Sequence, residues 1–87
     1  MVYMDMFFAV ARYFFDTNED GTLVRDEEGC EMNGPQAARV EAIAILPQLA
    51  KDLKTDGNRY TLAVTVRDVT SKPVFQAKLS FNCAWLE

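Results

Sequence analysis

Apolar and polar positions alternate most cleanly in the last third of the chain. Tyr60, Leu62, Val64 and Val66 fall on one side of the stretch Tyr60–Asp68. In Val74–Trp85, the residues Phe75, Ala77, Leu79, Phe81, Cys83 and Trp85 share one side, and Gln76, Lys78, Ser80 and Asn82 share the other. A period of two predicts strands with one buried face and one wet face. Thr70-Ser71-Lys72-Pro73 supplies the turn between them. Earlier, Phe7–Asp16 is dense in aromatic residues, which favours a strand. Thr17–Gly21 follows and ends in an Asp-Gly step, a hairpin signal, before the short return strand Thr22–Arg25. Asp26–Gly29 reads as a second turn, with Cys30-Glu31-Met32 as a brief extended piece.

The spacing changes between the hairpins. Ala38, Ala42, Ile45, Leu46, Leu49 and Leu53 recur at helical intervals. Asn33 or Gly34 suits the cap, Pro35 suits the first helical position, and Asp56-Gly57-Asn58 ends the run. Pro47 predicts a kink near Ile43–Pro47, because it cannot donate the usual backbone bond. The order is β-β-α-β-β. This predicts an α+β fold in which two β-hairpins make a small antiparallel sheet and one amphipathic helix packs on one face.

With 87 residues, the chain has room for one core. The expected division is an apolar N-terminal extension over 1–11 and a single α+β domain over 12–87. The extension has no basic start, carries Asp5 and is too short to span a bilayer. With only two cysteines and no metal-type pairing of them, the chain reads as a reduced, soluble, cytoplasmic protein with one or both thiols in its core. Cys83, on the apolar side of the last strand, is the clearer case.

Residues 16–27, from Asp16 to Glu27, match the twelve-residue calcium-loop pattern. Asp16, Asn18, Asp20 and Glu27 would offer side-chain oxygens, Thr22 its carbonyl, and Gly21 the sharp turn. The context is foreign to such a loop. No helix can leave through Glu28–Pro35, and Val24 stands at the ninth position without a side-chain oxygen. The competing reading is an acidic β-turn with local side-chain-to-backbone bonds. A weak calcium site remains an alternative, and the metal assignment stays open at this level. Asp16, Glu19, Asp20, Asp26, Glu27, Glu28 and Glu31 make a charged group that could dock a basic partner.

Catalysis is not expected. There is no histidine, no glycine-rich phosphate loop and no cysteine with an activating neighbour in sequence. No catalytic or cofactor-binding residue is assigned. A net charge of -4 opposes binding to nucleic acid. A sheet platform of Arg12, Arg67 and Lys78 with Phe14 for base stacking would be the exception, and it depends on the register of Phe14. The preferred reading is a small interaction module that pairs with itself or with another protein. Val40, Ile43, Ala44 and Pro47 form a second apolar row on the helix, away from its core stripe. With the apolar extension, that is more hydrophobic surface than one thin sheet covers.

Several segments carry a resemblance. Arg12-Tyr13-Phe14-Phe15-Asp16, Leu23–Gly29, Ala37–Ala42, Leu46-Pro47, Val66-Arg67-Asp68 and Trp85-Leu86 follow one another in a recurrent order. In this the chain resembles a family of short bacterial domains of unknown function, found in alphaproteobacteria. The resemblance implies a stand-alone domain with no assigned activity. Members often carry glycine in the last hairpin turn, where this chain has Ser71-Lys72, and tend to begin just before Arg12. A fainter likeness, in topology alone, is to antitoxin domains of the HicB type, which implies a protein partner.

Overall fold

The computed structural model describes residues 10–87. In chain order its elements are β1 (Val10–Glu19), β2 (Thr22–Val24), β3 (Cys30–Asn33), α1 (Pro35–Lys51), β4 (Arg59–Arg67) and β5 (Pro73–Asn82). The sheet is antiparallel with five strands in the order β2-β1-β4-β5, and β3 also pairs with β1. The architecture is α+β, as the patterning predicts. The brief extended piece at Cys30 is a strand in its own right. Of the segment expected to be an extension, Val10 and Ala11 belong to β1; the rest lies outside the described residues.

The two hairpins sit side by side because β1 pairs with β4, Phe14 opposite Arg67 through Glu19 opposite Leu62. Asp20 and Gly21 both have positive φ, 53° and 101°. That is the primed turn whose twist matches the strands it joins. It confines the turn to two residues, so Thr17, Asn18 and Glu19 are strand rather than loop.

Leu62, Val64 and Val66 on β4 are completely enclosed and meet Ala38, Ala42 and Leu46 of α1 and Tyr13 of β1. The two alanines let the helix axis approach the sheet closely. Phe75, Ala77, Leu79 and Phe81 of β5 pack at the edge of this core and stay half-exposed. The helix runs unbroken through Pro47 to Lys51, so Pro47 does not divide it. Leu53 falls beyond its end. The apolar alternation of β5 stops at Asn82. Cys83, Trp85 and Leu86 lie outside any strand and are exposed, Trp85 by 94 %. Both thiols are on the surface, contrary to the core placement the pattern predicts. No helix among the described residues is long and apolar enough to cross a membrane.

Candidate functional site

Among the described residues, no helix or strand covers the sheet face away from α1, and one corner of it is closed by a loop. Side chains alternate along β1, so Arg12, Phe14 and Asp16 emerge on this face beside Arg67 of β4. Between β2 and β3 the chain leaves the edge of β1 and folds over that corner as the loop 25–29.

Arg67 is the centre of the closed corner. Its Nε donates to Asp16 Oδ2 at 2.7 Å, and Nη2 donates to Asp16 Oδ1 at 3.1 Å. Nη2 also donates to the Asp26 carbonyl at 2.9 Å. The guanidinium lies 4.9 Å from the centre of the Phe14 ring, within cation–π range. Asp16 and Arg67 are only 8 % and 6 % exposed, yet both are charged. This two-bond geometry is the one in which a buried ion pair recovers most of its desolvation cost.

Asp26 completes the arrangement. Its backbone N–H donates to Asp16 Oδ1 at 2.9 Å. Its carboxylate accepts from the N–H of Phe15 at 3.0 Å, of Glu28 at 3.1 Å and of Gly29 at 3.0 Å. Phe15 lies in the gap where β1 has left β3 and not yet met β2. The Asp26 side chain therefore stands in for a strand and supplies the acceptor that the ladder lacks. Gly29, at φ 72°, brings the loop onto Phe14, and a Cβ there would sit 2.8 Å from the ring and 2.9 Å from the Tyr13 carbonyl. Arg12 Nη1 ties the loop down through the Glu28 carbonyl at 2.7 Å.

These contacts govern the titration of both acids. The Arg67 hydrogen bonds hold the Asp16 carboxyl below its ordinary value, against the pull of burial. Burial pushes Asp26 up, but the Phe15, Gly29 and Glu28 N–H groups outweigh it and leave that carboxyl lowered. Among the described residues, no enclosed side-chain nitrogen or oxygen lacks a partner. Both carboxylates are spent on donors within the chain.

The calcium-loop residues do not converge. Asp16 is engaged by Arg67. Asn18 Oδ1 accepts from Gly21 N–H at 2.7 Å, and Asp20 Oδ1 accepts from Thr61 N–H at 3.3 Å. Glu27 lies beside Arg25 on the surface. No group of acids able to hold a metal forms among the described residues. Of the two local bonds the acidic-turn reading expects, Asn18 makes its own to Gly21, whereas Asp16 is bound by the distant Arg67 and Asp26. The stacking platform loses its parts as well: Arg67 is covered, and Phe14 is held between Arg67 and Gly29. Lys78 stays exposed on β5, opposite Ala63 of β4.

Sequence reasoning left this corner undiscovered although it quoted nearly every residue in it. Arg12–Asp16, Asp26–Gly29 and Arg67 appear in three separate segments of the resemblance, and here they meet in one network. The available signal was their charge, since an Arg in the alternating row of β4 and an Asp in that of β1 invite pairing. No curated protein and no solved structure matches the chain. Residues 12–80 do match a family's sequence model, and the chain belongs to the family described as Domain of unknown function (DUF6894).

Proposed function

We propose that this protein is a small, non-catalytic interaction module of the cytoplasm that works as a homodimer. The observation that carries the reading is apolar surface left outside the core. Val40 and Ile43 on the outer side of α1 are 61 % and 44 % exposed, and the apolar row of β5 at the edge of the core is half-exposed. A helix apolar on the side away from its own core fits one that is covered in the working assembly. A domain this short also gains more than a large one from added burial. The absence of catalysis is supported by the spending of Asp16, Asp26 and Arg67 on one another.

Light scattering on the full chain tests the reading. A mass near twice 9.8 kDa that falls on dilution is expected. A mass near 9.8 kDa at high concentration would overturn it. The outer row of α1 also favours a second reading, an adaptor or antitoxin-like domain that holds a different protein there. A single stoichiometric partner retained from the native cell would favour that reading over the homodimer.

A further inference from the structure

Among the described residues, β5 has one strand neighbour, β4, and its other edge is open along ten residues. Which backbone groups face outward follows from the ladder. Cys83 N–H donates to the Asn58 carbonyl at 2.7 Å. Counting back in twos from that pair, Phe81, Ala77 and Leu79 direct their backbone groups at β4. The N–H and C=O of Gln76, Lys78 and Ser80 therefore point away from the sheet. Natural edges are usually blunted by charges, prolines, bulges or short length. β5 has Pro73 at its first residue, an irregularity opposite Val66/Arg67, and beyond these a single charge, Lys78.

We propose that β5 pairs antiparallel with β5 of a second copy, about a two-fold axis at Ala77. The proposal rests on the self-association reading above and places the joining contact at the β5 edge. Two features select a second copy as the occupant. The first is self-complementarity. With Ala77 opposite Ala77 of the second copy, Phe75 meets Leu79 on the helix side, and Gln76 meets Lys78 on the open side. Gln76 and Lys78 are residues with outward backbone groups, so they form the hydrogen-bonded pairs. Moving the axis to Lys78 would set lysine against lysine, which opposes pairing. The second feature is the placement of charge. Glu19, Asp20, Asp26, Glu27, Glu28 and Glu31 all lie on β1, β2, β3 and their loops, and β5 carries no acid. Joining two sheets at β5 sends the two acidic groups to opposite ends. The axis runs perpendicular to the joined sheet, so both α1 helices lie on the same side of it.

The test uses the full chain in sedimentation or light scattering over a concentration series. Lys78→Pro removes an outward N–H without touching the β4 ladder, and it is expected to give a folded chain near 9.8 kDa. Circular dichroism checks the fold. Independently, Gln76→Glu sets an acid against Lys78 twice per dimer and tightens association by about three- to tenfold, while Gln76→Lys weakens it by a similar factor. A dimer indifferent to all three substitutions overturns the β5 pairing and leaves self-association standing on another surface. A wild-type chain that stays near 9.8 kDa overturns both and leaves the edge to a foreign strand.

Discussion

The two margins of this sheet are finished in opposite ways. On one, β2 has three residues, β3 has four, and the loop between them turns over the sheet and is fastened by a buried ion pair. The chain closes that edge itself. On the other, β5 runs ten residues with outward backbone groups and a half-exposed apolar row. The closed margin gathers the acids and the buried charges. The open margin is nearly neutral. Edge strands are a general hazard for a soluble protein, and the usual answer is to disrupt them. Here disruption is concentrated on one side: the chain fastens the first margin itself, and the second is the one proposed above for association.

The largest expected effect falls on the closed margin. Arg67→Ala leaves the Asp16 carboxylate enclosed without its cation, and the melting midpoint should drop by roughly 10 °C or more. Asp16→Leu combined with Arg67→Met should recover much of that loss, because apolar replacements remove both desolvation costs together. If Arg67→Ala melts like the wild type in calorimetry, the corner is not the fastening described here.

Gly29→Ala comes next. The left-handed φ and the approach of the Tyr13 carbonyl leave no room for a Cβ, and a loss of about 2–3 kcal/mol in urea unfolding is expected. The midpoint of association on the β5 margin should not move in this variant while it is folded. A change in both would show that the margins are coupled.

Acid should act on the closed margin too. Asp16 and Asp26 are held below their ordinary 3.8 in the folded chain. Their stabilisation is fully present above that unfolded value and is lost as pH falls through the lower folded values. Unfolding monitored from pH 7 downward should show a plateau and then a decline below about pH 4. In Asp16→Leu/Arg67→Met the decline should be shallower. An equal decline would assign it to other acids.

The smallest expected effect lies in the turn that opens the other margin. Ser71 has φ 68° in the β4–β5 connection, where Asp68 Oδ1 accepts from Thr70 and Lys72 N–H. Ser71→Gly should stabilise by about 0.5–1 kcal/mol, since glycine adopts this conformation without a Cβ penalty. A destabilised Ser71→Gly would mean that the serine is compensated locally.

The elements that alternate or repeat at short range were readable before any coordinates. Tyr60–Val66 and Phe75–Phe81 have a period of two, and Ala38–Leu49 has a helical period. Burial of one face imposes each pattern on neighbours a few residues apart. The Asp20-Gly21 turn was readable for the same reason, because its positive φ angles depend on those two residues alone. The corner at Arg67 was not. Asp16 and Arg67 are 51 residues apart, and they meet only because β1 pairs with β4. Local spacing carries no information about that neighbour. The calcium-like pattern describes acids along a chain, and in the fold the β1–β4 register commits one of them, Asp16, to a cation. Cys83 and Trp85 continued the alternation of β5 in sequence, but the strand stops at Asn82 and they emerge into solvent. Short-range periodicity thus determined which segments are strand and helix. Strand order and register, set by contacts between distant segments, decided which charges are buried, which edge is closed and which is left open.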